Sequence, residues 1–344
     1  MMDSYDCVVI GRSLAGVTAA TLVAQAGFSV LLIDESSHDE LLRRGPRIGD
    51  RLPGACVPKL QRLGLDSFGS EHGFQPSAGL RVLAGCGNRG AEETLAGEDD
   101  GALSSESATA WHVVPSELDR RLFTAAQRQG VRMVEGRGAM QSLLNGSGAV
   151  VRLTSKQGQP LSVSAGTVVD LRNAPSVFAG GSQSHASIWG YYENVARDAF
   201  DRTGGATVLR TVAGRTWFWR IPLADGRDSI GVAGDAKLIF AKGCGEVEAF
   251  EEQLVQCPSL LERLVQATFA SGLFAWRGNL ASVSQPRGRS SSFPSDAEFA
   301  YPLGGQATLD ALQAGEHAAE NALTSLRTEK PIDERALARN GAEG

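Results

Sequence analysis

No part of this 344-residue sequence is apolar for long enough to cross a bilayer, which needs about 18 to 20 consecutive residues. The five cysteines (Cys7, Cys56, Cys86, Cys244 and Cys257) form no C-x-x-C pair, and the five histidines are dispersed. Neither a disulfide framework nor a metal site is therefore expected. Positive charge is not in excess: 33 Lys and Arg against 39 Asp and Glu give −6. That balance argues against a nucleic-acid partner, because phosphate is usually met by a basic surface. No internal repeat is visible. The first strand-like segment starts close to Met1, so the sequence predicts no leader peptide and no membrane partner, and hence a soluble, cytoplasmic protein. What the chain does have is a core. Apolar residues make up 42%, which excludes global disorder.

Residues 5–35 (YDCVVIGRSLAGVTAATLVAQAGFSVLLIDE) carry the most information. A buried strand over 7–10 runs into Gly11-Arg12-Ser13-Leu14-Ala15-Gly16. A small-residue helix to about Gln25 is ended by Gly27, and a second apolar strand over 30–33 stops at Asp34. Each part has a physical reason. Gly11 lets the chain turn sharply, and Gly16 lets the helix lie close to the sheet. The amides at the helix start, from Ser13 to Gly16, face the pyrophosphate of a dinucleotide, and Asp34 is placed to accept from a ribose. Ser13 stands where the usual pattern has a second glycine, narrowing the backbone's approach to phosphate. The plain alternative is a βαβ core element without a ligand.

Farther along, residues 85–108 are rich in Gly, Ser, Glu and Asp without periodicity and read as a loop or insertion; Glu98-Asp99-Asp100 within them reads as solvated. A helix is predicted from a Ser116 cap, with Leu118, Leu122 and Ala126 on one face and Gly130 closing it. Short strands are predicted at 132–135, 149–153 and 167–170. From 186 to 232 aromatic and β-branched residues alternate with polar ones, as in an antiparallel sheet. Two helices split at Pro258 follow, then a helix over 308–326 and a frayed tail from Arg327. Trp217 and Trp219 alternate on one strand and so share a face. His112 and His185 read as structural or exposed.

This arrangement resembles the p-hydroxybenzoate-hydroxylase-like flavoproteins, and among them the flavin-dependent halogenases and halogenase-like monooxygenases. RIGDRLPG (47–54) resembles the family's R-x-G-E-x-L-x-P, and the segment 111–131 resembles the helix after its flavin-contacting Arg. GTVVDLRNAPSVF resembles its V-V-D turn, and SDAEFAYPLGGQ resembles its late G-D…P-x-x-G segment. Trp217-Phe218-Trp219-Arg220-Ile221-Pro222 matches W-x-W-x-I-P. The resemblance implies an α/β fold: an FAD-binding Rossmann-like domain (1–76, 108–182 and 284–330) with an inserted antiparallel-sheet substrate domain (77–107 and 183–283) and a frayed tail (331–344). It implies FAD contacts at Gly11, Ser13, Leu14, Ala15, Gly16, Asp34, Glu35, Arg47, Ala139, Asp296, Pro302, Gly304, Gly305, Gln306 and Ala307. It places Asp50, Trp189, Trp217 and Trp219 along the substrate, although Asp50 reads equally as a surface carboxylate and the tryptophans equally as sheet core.

Several positions depart from the family. Pro115 replaces the flavin-side Arg, Asn173 and Ser295 replace glycines, Tyr301 precedes Pro302 where an Asp is usual, and Ala307 replaces a glycine. Lys59, the only lysine between Asp34 and Lys156, follows Asp50 too closely for the halogenases' relay lysine. The expected activity is FAD-dependent monooxygenation of an aromatic or electron-rich substrate, either a small molecule or a residue of a partner protein, with electrons from a separate flavin reductase. A flavin-dependent halogenase, a non-catalytic scaffold and a reductase of isoprenoid double bonds are the alternatives.

Overall fold

The computed structural model describes residues 3–34, 51–77, 79–84, 92–96, 110–142, 148–155, 158–171, 183–202, 204–210, 216–240, 244–280 and 305–328. They fall into two compact units. One draws on Met1–Arg44, Asp119–Ala174 and Ala311–Gly344, the other on Gly45–Leu118 and Pro175–Asp310.

The first unit begins with β1 (Asp3–Ile10), α1 (Leu14–Gln25) and β2 (Val30–Asp34). β1 pairs in parallel with β2 on one side and with Pro160–Asp170 on the other, and β2 pairs in parallel with Arg132–Ser142. Ala149–Ser155 joins the outer halves of those two long strands in antiparallel fashion, so the five strands close into a barrel. Gly136 sits where Arg132–Ser142 changes partners; a Cβ there would stand 2.8 Å from the Thr154 carbonyl oxygen. Val8, Ile10, Leu31, Ile33, Val151, Leu153, Val163 and Ala165 fill the interior. Each large aliphatic side chain removed from water contributes about 1.5 to 3 kcal/mol.

α1 is buried on every side from Leu14 to Val23, which explains its small residues. The helix Gly305–Thr328 packs on it closely: a Cβ on Gly315 would stand 2.5 Å from Thr18 Cβ and 2.6 Å from the Ala15 oxygen. The buried hydroxyls of Thr18 and Thr21 are satisfied by donating back to Leu14 O and Val17 O at 2.8 and 2.7 Å.

The second unit is built on a large sheet in the order Thr268–Phe269, Gln183–Glu193, Asp228–Asp235, Thr216–Pro222, Ala206–Arg210, Gly79–Ala84, Glu92–Ala96, with Phe274–Leu280 also pairing Gln183–Glu193. One face packs Ile188, Phe218, Ile230 and Val232 against Phe250, Leu254 and Leu260 of the helices Glu246–Val255 and Pro258–Leu264. Pro258 opens the second helix, where its missing N–H is harmless. The opposite face gathers Trp189, Tyr191, Trp217, Trp219, Ile221 and Leu223. A small sheet of Arg51–Leu52, Trp111–Val113 and Phe74–Pro76 completes the unit.

The α/β architecture and the mainly antiparallel second sheet match the sequence expectation; the pairing of Ala206–Arg210 with Gly79–Ala84 is parallel. Four details differ. Arg132–Ser142 and Pro160–Asp170 run well beyond the short strands expected, because ladder bonds to Ala149–Ser155 recruit residues 136–142, which lack apolar alternation, and residues 160–165. Glu92–Ala96 is a strand paired with Gly79–Ala84, inside the stretch read as a loop. The helix expected to be capped by Ser116 spans Pro115–Arg128. The last helix begins at Gly305 and takes in Arg327, so both its ends lie outside the range expected.

Candidate nucleotide cradle and aromatic face

In the first unit the strand–turn–helix brings six of the expected cofactor residues together. Gly11 has φ +106°, which favours glycine, and its N–H donates to Ile33 O at 2.8 Å. Gly16 is required by close approach: a Cβ there would lie 1.9 Å from the Gly11 oxygen. Ser13 caps α1, its hydroxyl accepting from Gly16 N at 3.2 Å, and the first i→i−4 bond is Val17 N to Ser13 O at 2.9 Å. The Leu14 and Ala15 amides thus open the helix ahead of its ladder, at the positive end of its dipole, where an anion is stabilised. The cap role of Ser13 was hidden in the sequence, where the residue registered only as a missing glycine.

Asp34 ends β2, and its Oδ2 accepts from the Arg12 backbone N–H at 2.6 Å, tying the second strand to the turn. The Arg12 side chain is 5% exposed, and its guanidinium lies over the Phe123 ring at 5.7 Å from the centroid. Burial lowers its pKa, opposed by the charges of Asp34 and Glu135. Arg12 was not singled out from sequence; a charged residue in a glycine-rich turn was the available signal. Ala139 lies in Arg132–Ser142 opposite Arg152, in the part paired with the antiparallel strand. Gly305, Gln306 and Ala307 form the first turn of the last helix instead of a loop before it. Glu35, Arg47, Asp50, Asp296, Pro302 and Gly304 lie outside the described residues, as do Asn173 and Glu98-Asp99-Asp100. Pro115 takes the first helical position of Pro115–Arg128, with the Glu117 and Leu118 amides bonding back to Val114 O at 2.9 and 3.2 Å.

In the second unit Trp189, Trp217 and Trp219 do share one face, each at most 4% exposed. Trp219 Nε1 donates to Ser229 Oγ at 3.2 Å, and Trp189 lies 5.9 Å from Phe274. The Trp189 indole N–H is buried without a hydrogen-bond partner. His112 is fully buried, with Nδ1 3.1 Å from the Pro222 carbonyl oxygen. Because that oxygen only accepts, Nδ1 carries a proton. Burial first, then the Arg51 charge, pushes its pKa down to about 3 against the bond to Pro222.

Sequence reasoning missed an ionic cluster in the same unit. Arg220 Nη2 meets Asp228 Oδ1 at 2.7 Å and its Nη1 meets Asp201 Oδ1 at 2.5 Å. Arg197 bonds the other oxygen of Asp228 at 2.8 Å, while Arg81 and Arg263 bond Asp198 at 2.7 and 2.9 Å. Arg263 also pairs with Asp201. Burial pushes the Asp228 carboxyl up, opposed by Arg220 and Arg197. Burial acts the same way on Asp198, but the Asp201 amide, Arg263 and Arg81 prevail and hold it well below the usual carboxylate range. Alternation was the available signal: Arg220 is spaced to share the buried face of Phe218, and so needs charged partners.

No described helix is long and apolar enough to cross a membrane. Among the described residues no three His, Cys, Asp or Glu gather as metal ligands.

No family model matches the chain. A flavin-dependent halogenase of Armillaria mellea, armH4, is 23% identical over 314 residues, 86% of this chain and 56% of that protein. A tryptophan 2-halogenase of Chondromyces crocatus is 27% identical over 251 residues (70% and 45%), and a menaquinone reductase of Mycobacterium tuberculosis is 30% identical over 239 (67% and 55%). The chain spans about half the length of the curated relatives it matches. Among solved structures, the flavin-dependent brominase Bmp2 superposes with a TM-score of 0.69 at 20% identity, covering 98% of this chain and 83% of that one. A flavoprotein/dehydrogenase of Cytophaga hutchinsonii gives 0.71 at 21% (95% and 80%), and the myxobacterial chondrochloren halogenase CndH gives 0.64 at 23% (94% and 78%). These likenesses establish the fold.

Proposed function

We infer that this chain, which has the fold and the sequence relatives of the halogenase-like FAD-dependent oxidoreductases, binds FAD and uses it to modify an electron-rich aromatic substrate. The observation that carries the reading is the cradle at the start of α1. Gly16 leaves no room for a side chain beside Gly11, the Leu14 and Ala15 amides open the helix, and Asp34 is tied to the turn. That geometry suits the ADP half of FAD: Gly11 to Gly16 would hold the pyrophosphate, and Asp34 would hold the adenosine ribose. FAD supplies a two-electron carrier that, once reduced, activates oxygen. The cradle residues would bind and orient it, and Trp189, Trp217 and Trp219, buried on one face of the second unit's sheet, are the aromatic residues we assign to the substrate.

Halogenation and hydroxylation are two outcomes of this one reading. The named halogenase relatives favour the first, and the placement of Lys59 favours the second. Electrons would come from a separate flavin reductase. A reductase reading also has one observation in its favour, the 30% identity to a menaquinone reductase. The test is to purify the protein with added FAD, supply a flavin reductase and NADH, and present phenolic and indolic probes with and without bromide. A brominated product that vanishes without halide assigns a halogenase, and a hydroxylated product independent of halide assigns a monooxygenase. Flavin binding without substrate-coupled oxygen uptake favours the reductase. A protein that binds no flavin overturns the reading and leaves the scaffold.

A further inference from the structure

We propose that Arg12 is the residue with which this chain recognises the ADP moiety of its cofactor, its side chain being held for an acceptor on the nucleotide. The proposal rests on the nucleotide-binding reading above and adds to it a specificity-determining side chain.

Arg12 is the second residue of the glycine-rich turn, yet its side chain does not point into water; it is 5% exposed. Its backbone bond to Asp34 at the end of β2 and one ring contact, the guanidinium over Phe123, place it, and the carboxylates of Asp34 and Glu135 lie near enough to act on its charge. Asp34 and Glu135 are register partners at the carboxyl ends of adjacent parallel strands. Arg12 therefore extends from the end of β1 across the end of β2 toward the next strand. The space outside the carboxyl ends of parallel strands, beside the N-terminus of the first helix, is where a βαβ unit takes a dinucleotide.

The second observation concerns one atom. Arg12 Nε is buried and has no hydrogen-bond partner. A buried donor left unpaired is costly, and a purely structural arginine in this position would be expected to spend all its donors on its neighbours. The ring of Phe123 lies against the guanidinium and leaves Nε–H over, in the turn whose amides are arranged for an anion. An oxygen of a nucleoside diphosphate is the acceptor this setting suits. Lysine would not substitute, since it offers a point charge where arginine offers a planar fork that includes Nε–H.

The experiment measures ADP and FAD binding, by calorimetry and by flavin fluorescence, to the full chain and to Arg12→Met and Arg12→Lys, together with the melting temperature of each nucleotide-free protein. Arg12→Met is expected to weaken both ligands at least tenfold, with Arg12→Lys weakened also, while the nucleotide-free melting temperature stays level or rises because an unpaired donor is gone. Wild-type affinity for ADP in Arg12→Met, accompanied by a lower melting temperature, would overturn the proposal and make Arg12 a core residue. If Arg12→Met does not fold, Arg12→Lys decides: undiminished ADP and FAD affinity in it overturns the proposal. A wild-type protein that binds neither ADP nor FAD removes the nucleotide reading itself, whereas tight wild-type binding unaffected by either variant removes this inference alone.

Discussion

The six-membered ring of Trp219 covers Gly231: a Cβ built on that glycine would stand 2.1 Å from Trp219 Cζ2 and 2.5 Å from Cε2. Trp189 and Trp219 are both register partners of Gly231, one from each neighbouring strand. The glycine thus leaves room for an aromatic side chain in a sheet that otherwise favours branched residues. Gly231→Ala should displace the indole, lose the Trp219–Ser229 bond and destabilise the protein by about 1 to 3 kcal/mol. A shift in tryptophan emission accompanying a lower denaturation midpoint is the expected signature; unchanged emission would contradict it.

Gly16→Ala tests the cradle. The new methyl would meet the Gly11 oxygen, so the turn or the helix start must move. FAD affinity should fall at least tenfold while far-ultraviolet circular dichroism stays near that of the wild type. Coupled turnover surviving in the bulkier Gly16→Trp would count against the pyrophosphate assignment.

His112 sets a pH dependence. Its pKa is about 3 folded and near 6.5 unfolded, so between those values the unfolded chain holds a proton that the folded one does not. Stability is therefore full above about pH 6.5 and is lost as pH falls toward 3, by about 2 kcal/mol between pH 7.5 and 5 from this residue alone. Denaturant unfolding of His112→Gln should show a flatter pH profile over that range than the wild type. Parallel profiles would mean that His112 already ionises in the folded state.

Asp228 is fully buried between Arg220 and Arg197. Asp228→Asn removes the charge and should cost about 3 kcal/mol or more, because it leaves the Arg220 charge buried and less well matched. The double variant Asp228→Leu with Arg220→Met should recover part of the loss. Thermal denaturation of the three proteins separates a needed ion pair from a replaceable one.

The strand–turn–helix–strand at the start of the chain was legible because its signals are local. Strand, turn, helix and acid lie within some thirty residues, and β2 spans Val30–Asp34 where the apolar run and its acid placed it. The shared face of Trp217 and Trp219 followed from the two-residue period of a strand. The less legible features depend on which partner comes alongside, whether near or far in the chain. Arg132–Ser142 gains its outer half from ladder bonds to Ala149–Ser155, which no apolar pattern announces. Arg220 finds Asp201 and Asp228, and Arg81 finds Asp198 from 117 residues away. Arg12 reads as a surface residue until Phe123 and Glu135 come beside it.

The two long strands that pass from the parallel pairs into the antiparallel ones have a mechanical consequence. Arg132–Ser142 and Pro160–Asp170 are continuous, so sliding Ala149–Ser155 by one residue would turn its inward side chains, Val151 and Leu153, outward. The same slip would strain the rows that align Asp34 with Glu135 and Ile10 with Asp170. The outer strand thus acts as a ruler for the carboxyl ends of the parallel strands. Substitutions at Gly136 or along 149–155 would then be felt as misalignment of Asp34.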